Sequence, residues 1–135
     1  MRPRAWRNLD EIYAGVFDGM TYAEIKERAP FEFEERSANK LGYRYPRGES
    51  YLDVIERLEP VVMELERQRD PVLLVGHQGV LRILYAYFMG MDRERAPFIS
   101  VPSNTVICLV PGTYVCSEER FCLIPGKSEE GPPSY

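Results

Sequence analysis

VLLVGHQGVLR, residues 72–82, is the stretch that decides the fold. Its first five residues form an apolar run that is too short for a helix, which predicts a strand buried on both faces of a parallel sheet. The residues that follow return to helical spacing at Val80, Leu84 and Tyr87. A helix is therefore predicted directly after the strand, ending at Gly90, because glycine commonly follows the last helical residue.

Two further helices are predicted upstream. Residues 50–69 carry apolar side chains at three- and four-residue spacing, with Ser50 as the N-cap and Pro60 as the site of a kink. A shorter helix begins after Thr21 and ends at Pro30. Both helices begin with a residue whose side chain can accept a backbone hydrogen bond, which favours these starting points.

A second strand is predicted at residues 104–110, with residues 121–124 as a pairing partner. Strand, helix and strand in this order predict a βαβ crossover and hence a parallel α/β sheet. The length predicts one domain, residues 1–124, and the polar residues 125–135 predict a disordered tail.

The charge balance and the cysteine content limit the classes of function. Seventeen Lys and Arg against 21 Asp and Glu give a formal net charge of −4, which argues against nucleic acid or an anionic membrane as the partner. The three cysteines form no C-x-x-C pair, which is typical of reduced thiols in a cytoplasmic protein. With a single histidine we expect no zinc site, and no apolar run reaches the roughly 18 residues of a membrane span.

His77, the single histidine, lies at the predicted junction of strand and helix. Ligands of open α/β sheets bind beyond the carboxyl ends of the strands, and the first N–H groups of a helix favour an anion. Arg82 would add positive charge on the same helix. A histidine that only caps the helix or fills a gap would occupy the same position, so this residue alone does not decide between the two interpretations.

Residues 36–51, RSANKLGYRYPRGESY, combine four cations with three tyrosines in an acidic protein. Such a segment is suited to phosphate groups, since guanidinium and ammonium groups bind the anion and hydroxyls add hydrogen bonds. Basic residues among aromatic ones are also typical of single-stranded nucleic-acid binding, and charged loops are often only solvated. In LDEIYAG, residues 9–15, a partly shielded Glu11 is a candidate general acid, although such a glutamate commonly faces water.

Several of these stretches together resemble one family. LDEIYAGVFDGMTYAEI, RSANKLGYRYPRGESY, RLEPVVMELERQ, VGHQGVLR and PSNTV are similar, in order and spacing, to the fructose-2,6-bisphosphatase domain of bifunctional 6-phosphofructo-2-kinase/fructose-2,6-bisphosphatases. That domain belongs to the histidine phosphatase superfamily. The resemblance implies a phosphoglycerate mutase-like, three-layer α/β domain that hydrolyses fructose 2,6-bisphosphate to fructose 6-phosphate and phosphate, without a cofactor, in the control of glycolysis and gluconeogenesis.

The resemblance also implies roles for individual residues. Glu11 matches the general acid that protonates the leaving sugar hydroxyl, and His77 matches the second active-site histidine, which hydrogen-bonds the transferring phosphoryl group. The residues that match contacts to the bisphosphorylated sugar are Tyr22, Arg36, Lys40, Tyr51, Gln78 and Arg82. The residues that match the family's ATP contacts are Phe33, Glu34, Glu35, Arg36, Gln78, Arg82 and Tyr114.

The sequence also departs from the family pattern. The superfamily's nucleophile is a histidine in an R-H-G motif after the first strand, and these residues contain neither that motif nor a kinase P-loop. Tyr13 stands where the family usually has Asp, and Asn104 where it usually has His. We therefore expect a partial domain that lacks its first strand, is inactive alone and is prone to self-association; a non-catalytic sugar-phosphate-binding module is the competing hypothesis.

Overall fold

The computed structural model describes residues 3–125, and the chain divides into two compact units, Met1–Val80 and Leu81–Tyr135. The first unit contains two 3₁₀ turns, Arg7–Leu9 and Gly15–Phe17, and three helices: α1 (Tyr22–Arg28), α2 (Pro30–Ala38) and α3 (Tyr51–Arg67). Helix α4 (Gln78–Phe88) begins at the end of this unit and continues in the second, which also contains a 3₁₀ segment (Arg93–Phe98) and strands β1 (Thr105–Val110) and β2 (Ser117–Cys122).

Helix α3 forms where the sequence predicts it. The Ser50 hydroxyl accepts from the Asp53 N–H at 3.2 Å, and the Asp53 carboxylate accepts from the Ser50 N–H at 2.7 Å, which completes a capping box. The helix is continuous through Pro60, whose missing N–H leaves one carbonyl without a helical donor. Its most buried face is set by the side chains Tyr51, Val54, Leu58 and Val61. The sequence pattern predicted a neighbouring face, and of its residues only Leu58 is fully buried; the predicted residues are Leu52, Ile55, Leu58, Val62 and Leu65.

Helix α1 is confirmed with its cap, since the Thr21 hydroxyl accepts from the Glu24 N–H and the Glu24 carboxylate accepts from the Thr21 N–H. Pro30 does end this helix, but it also begins α2, which was not predicted. Proline suits the first position of a helix because its missing N–H would have no partner there and its φ is already helical. Arg36 therefore lies on a helix and not in the loop that the sequence suggested.

The prediction of a strand at residues 72–76 is wrong, since no strand forms there. Residues 71–77, up to the start of α4, form neither a helix nor a strand. Val72, Leu73 and Val75 are 48%, 57% and 81% exposed. An apolar run becomes a buried strand only when neighbouring strands pair with its backbone and cover its faces, and residues 3–125 provide no such neighbour.

The second unit contains one sheet among its described residues, and its two strands are antiparallel. β1 pairs with β2 from Thr105 opposite Cys122 to Val110 opposite Ser117. The predicted strand at 104–110 and its pairing are confirmed, but the partner strand is Ser117–Cys122 and not 121–124, so it begins four residues earlier than predicted. No parallel pair forms in the described residues, because the crossover would have to join β1 to the unpaired segment 72–76.

Helix α4 ends as predicted at Gly90, which has a φ of +64°. The Met91 N–H donates to the Ala86 carbonyl at 2.8 Å and the Gly90 N–H to the Tyr87 carbonyl at 3.0 Å, which is the Schellman arrangement. Within the described residues, no helix is long and apolar enough to cross a membrane. The tail predicted at 125–135 lies, apart from its first residue, outside the described residues.

Candidate functional site

Glu11 lies against the first turn of α4, next in space to the residues that follow His77. Its Oε2 accepts from the Gly79 N–H at 3.2 Å, and its Oε1 accepts from the Ile12 N–H at 2.8 Å. A Cβ at Gly79 would lie 2.5 Å from Oε1, so a larger residue there would require this carboxylate to shift. Because the free N–H groups of a helix start favour negative charge, the contact places the candidate general acid beside the candidate phosphoryl site.

His77 is exposed and is the residue directly before α4. It lines a recess of about 210 Å³ together with the segment that precedes Glu11, including Trp6, Leu9 and Asp10. The predicted strand is absent, but the second part of the prediction holds, since His77 stands where an apolar run gives way to a helix N-terminus. The structure thus brings Glu11 and His77 to the same end of α4.

The backbone around Glu11 crosses the end of the basic segment at two glycines. The Glu49 N–H donates to the Tyr13 carbonyl at 2.8 Å. A Cβ at Gly15, which has a φ of +60°, would lie 2.1 Å from the Pro46 carbonyl oxygen, and a Cβ at Gly48 would lie 2.6 Å from the Tyr13 carbonyl oxygen. The two segments are therefore in backbone contact, which side chains at either glycine would prevent.

Arg36 on α2 is stacked against two tyrosine rings. Its guanidinium carbon lies 5.3 Å from the centroid of the Tyr22 ring and 5.5 Å from that of Tyr45. The Tyr45 ring is itself held edge-on by Phe17 at 5.1 Å. Stacking of this kind fixes the plane of a guanidinium and leaves its N–H edge able to bind a phosphate. Tyr22 and Arg36, both predicted to contact the sugar, are therefore neighbours.

The Tyr45 side chain is 5% exposed, and its hydroxyl has no hydrogen-bond partner in the part of the chain that the structure describes. Burial raises the pKa of this hydroxyl above its ordinary value, against the nearby charge of Arg36. The ring is thus used for packing and for the contact with Arg36, while the hydroxyl contributes no hydrogen bond among these residues.

The remaining cations of the basic segment differ in environment. Lys40 is 3% exposed and Tyr51 is equally buried at the start of α3. Arg44 is exposed and pairs with Asp53, and this hydrogen-bonded guanidinium lowers the pKa of Asp53 from 3.8 to about 2. Arg47 is exposed and has a φ of +61°. The segment is therefore no uniform basic surface, since one cation is buried and another supports the helix cap.

The other predicted contact residues are spread over both units. Gln78 is half-buried at the start of α4, and Arg82 is 5% exposed with its Nε donating to the Ile99 carbonyl at 2.7 Å. Phe33 lies on α2 beside Lys26, whose Nζ is 5.6 Å from the ring centroid. The rest of the nucleotide set is exposed: Glu34 and Glu35 on α2, and Tyr114, 96% exposed, in the loop between β1 and β2.

Tyr13 and Asn104, the two residues that depart from the family pattern, have different surroundings. Tyr13 is half exposed, and its backbone N–H donates to a Glu49 carboxylate oxygen at 3.0 Å. Asn104 has a φ of +52° directly before β1, a conformation that asparagine adopts more readily than most residues. Among the described residues no cluster of three His, Cys, Asp or Glu side chains could hold a metal ion.

Sequence reasoning did not identify Arg57 or Gly79 as parts of this site; Tyr45 was one of the three tyrosines of residues 36–51 whose hydroxyls were expected to bind phosphate. Arg57 lies on α3, and its side chain binds the backbone before Glu11. An arginine on an amphipathic helix gives no signal that distinguishes it from a solvated one. The glycine directly after His77 and Gln78 was visible in the sequence, but its role depends on a carboxylate 68 residues away.

The sequence matches the histidine phosphatase superfamily (branch 1) over residues 1–117. The chain therefore belongs to this superfamily. Its structure is also similar to an alpha-ribazole phosphatase from Shigella flexneri, with a TM-score of 0.73 at 18% identity over 87% of this chain and 59% of that one. A mycobacterial glucosyl-3-phosphoglycerate phosphatase aligns with a TM-score of 0.65 at 25% identity, over 87% and 62%. The fold is thus the phosphoglycerate mutase-like α/β fold of histidine phosphatases.

Relatives with a higher sequence identity than these two structures are named fructose-2,6-bisphosphatases. A 6-phosphofructo-2-kinase/fructose-2,6-bisphosphatase of Arabidopsis thaliana is 56% identical over 119 residues, 88% of this chain and 16% of that protein. The fructose-2,6-bisphosphatase of Saccharomyces cerevisiae is 54% identical over 81% and 24%, and a human bifunctional enzyme is 49% identical over 87% and 25%. The chain therefore spans at most about a quarter of the length of these three relatives.

Proposed function

We propose that this chain forms part of the active site of a fructose-2,6-bisphosphate 2-phosphatase, which releases fructose 6-phosphate and phosphate. The observation that carries the proposal is the contact of the Glu11 carboxylate with the Gly79 N–H at the start of α4, directly beyond His77. An acid, an imidazole and a helix N-terminus then surround one position, which is what a phosphoryl group leaving an oxygen requires. The substrate is taken from the relatives, which are named as fructose-2,6-bisphosphatases.

In this proposal Glu11 donates a proton to the leaving 2-oxygen of the sugar, and His77 hydrogen-bonds the transferring phosphoryl oxygens. The N–H groups at the start of α4 offset the phosphoryl charge, together with Gln78 and Arg82. The 6-phosphate is bound by the stacked Arg36 and by three further side chains of the first unit: Tyr22, Lys40 and Tyr51.

The nucleophile is outside this set. His77 is the only histidine among the 135 residues, and the R-H-G motif does not occur in them. Hydrolysis in this superfamily proceeds through attack of a histidine on phosphorus, so a second histidine has to be supplied to complete the reaction. We propose that the chain by itself binds the sugar bisphosphate without turning it over, and that no metal or other cofactor takes part.

Calorimetry with fructose 2,6-bisphosphate, run beside a phosphate-release assay, tests this proposal. We expect binding without release, and binding at least about tenfold weaker in R36M because a charge-assisted hydrogen bond to phosphate is lost. R28M, which removes an exposed arginine from α1 in the same unit, is the matched control and should bind normally. Lack of binding would refute the proposal, and phosphate release by the unaltered chain would refute the missing nucleophile.

The competing function is a non-catalytic sugar-phosphate-binding module. The buried Lys40 and the stacked Arg36 favour it, since both would bind phosphate without any chemistry. Fusing the R-H-G segment of a relative to the N-terminus separates the two functions. A phosphatase fragment should then hydrolyse the 2-phosphate and form an acid-labile phosphoenzyme, whereas a binding module should remain inactive.

We also propose nucleotide contacts, taken separately for each unit: Phe33, Glu34, Glu35, Arg36 and Gln78 in the first, and Arg82 and Tyr114 in the second. They are supported by the exposed position of Tyr114, which leaves an aromatic face open to a purine ring. The test is displacement of a fluorescent ATP analogue by ATP, with Y114A as the variant. Equal displacement in both proteins would remove Tyr114 from the proposal.

Self-association and a cytoplasmic location complete the proposal. Residues 72–76 expose the apolar side chains of Val72, Leu73 and Val75 on a backbone that has no strand partner in the described residues, and such a segment favours pairing with another chain. Sedimentation at increasing concentration should therefore show dimers or larger species, and V75K should reduce them. All three cysteines, Cys108, Cys116 and Cys122, are free thiols, which suits a reducing compartment.

A further inference from the structure

Arg57 binds the segment that carries Glu11 through several of its N–H groups. Its Nη2 donates to the Asp10 carbonyl at 2.7 Å and to the Glu11 carbonyl at 3.2 Å, and its Nη1 donates to the Asn8 carbonyl. Its own backbone carbonyl accepts from the Asn8 side chain at 2.6 Å. One residue of α3 is therefore bound to three of the four positions from 8 to 11.

Glu49 extends this arrangement to the other side of Glu11. Its carboxylate accepts from Arg57 Nε at 2.8 Å and Nη2 at 3.2 Å, and also from the Tyr13 N–H at 3.0 Å. The Arg57 side chain is 22% exposed and that of Glu49 is 27% exposed. The pair is therefore largely shielded, unlike an ordinary surface ion pair, and it links the backbone before Glu11 with the backbone after it.

The segment needs such support because it has no regular structure of its own. Residues 10–14 form neither helix nor strand, so no ladder of backbone bonds fixes the direction of the Glu11 side chain. The planar guanidinium offers five N–H donors in a fixed geometry, whereas lysine offers one compact ammonium group. Only arginine can contact several carbonyls and a carboxylate together.

We propose that Arg57 is a positioning residue, which holds Glu11 so that its carboxylate stays bonded to the start of α4. Its consequence for catalysis rests on the proposed function of Glu11 as general acid. The positioning itself does not, because it concerns only the contact between Glu11 and Gly79.

The Gly79 amide provides a direct readout of this contact. Its N–H donates to Glu11 Oε2 at 3.2 Å, so its chemical shift should depend on whether that carboxylate is present. The experiment compares the amide spectrum of the ¹⁵N-labelled 135-residue chain with that of E11A, in which the carboxylate is removed. We expect the Gly79 amide to shift between the two proteins, and this difference is the Glu11-dependent step.

R57M should lose most of the Glu11-dependent step while keeping a native spectrum elsewhere, and R57K should lose at least half of it. R67M is the matched control, since Arg67 lies on the same helix, has a side chain that is 77% exposed and pairs with Glu64 at 3.4 Å, and it should keep the full step. A full step in R57M would overturn the proposal. Unfolding of R57K would also overturn it, because Arg57 would then hold the fold and not the position of Glu11.

These outcomes are independent of the substrate. If the Gly79 step behaves as expected but fructose 2,6-bisphosphate does not bind, the positioning stands and the proposed function fails. If the sugar binds and the Gly79 step is unaffected by R57M, the proposed function stands and the role of Arg57 is refuted.

Discussion

Replacing Gly79 with alanine tests the packing of Glu11 against α4. The new Cβ would lie 2.5 Å from Glu11 Oε1, so the carboxylate has to shift and its bond to the Gly79 N–H is weakened or lost. A hydrogen bond to a charged group contributes about 1.5–3 kcal/mol to the free energy of unfolding. Alanine offsets about 0.5–1 kcal/mol of this loss, because its helix propensity is higher than that of glycine. We expect G79A to lower the free energy of unfolding by about 1 kcal/mol, a shift of roughly half a molar in urea for a domain of this size.

The assay is urea unfolding of a double-mutant cycle that includes E11A. Without the Glu11 carboxylate there is nothing for the alanine to displace, so G79A should be neutral or stabilise the E11A protein by about 0.5 kcal/mol. The coupling between the two positions is then about 1.5 kcal/mol. Equal effects of G79A in both backgrounds would refute the contact and, with it, the placement of the general acid at the start of α4.

Three further predictions concern the surroundings of the site. Because the pKa of Asp53 is lowered to about 2 by its bond to Arg44, the stability that it contributes is present above its ordinary pKa of 3.8 and is lost as the pH falls toward 2. The free energy of unfolding of the unaltered chain should accordingly exceed that of D53N by about 1 kcal/mol at pH 5, a value that already allows for solvent screening. This difference should vanish near pH 2, and a difference that does not change with pH would contradict the prediction. Y45F should raise the free energy of unfolding by about 1 kcal/mol, since it removes a buried hydroxyl that has no hydrogen-bond partner in the described residues. A lower free energy of unfolding in Y45F would show that this hydroxyl does form a hydrogen bond. G15A should cost about 2–4 kcal/mol in urea unfolding, whereas G19A, at a φ of +80° with open space around its Cβ, should cost only about 1–2 kcal/mol; equal costs would show that backbone contact at Gly15 is unimportant.

The predictable parts of the fold were those specified by local chemistry. Ser50 and Thr21 start their helices through capping boxes whose two partners lie three residues apart, and Gly90 ends α4 through a glycine conformation. Each of these depends on a few neighbouring residues. The prediction of a strand at residues 72–76 was wrong, because an apolar sequence indicates burial but does not show which neighbouring strands would cover it. Helix α2 was missed because Pro30 was interpreted only as the end of one helix and not as the first residue of another.

The candidate site was also predictable only in part. The likeness to a family identified Glu11, His77 and Arg36 as candidates, and the structure places the first two at one helix end and stacks the third on Tyr22 and Tyr45. What holds them depends on contacts between residues far apart in the chain, such as the bonds from Arg57 to carbonyls 46 to 49 residues before it. Side-chain to backbone bonds of this kind leave no periodic pattern in a sequence.

The central claim is that the start of α4 and the stacked Arg36 bind one sugar bisphosphate. The most direct measurement is a titration of the ¹⁵N-labelled chain with fructose 2,6-bisphosphate, compared with fructose 6-phosphate and inorganic phosphate. We predict that the amides of Gln78 and Gly79 and those around Arg36 shift together, with one dissociation constant, and that R36M weakens the response at both places. Separate responses at the two places, equal shifts with inorganic phosphate, or no shift at Gly79 would contradict the account.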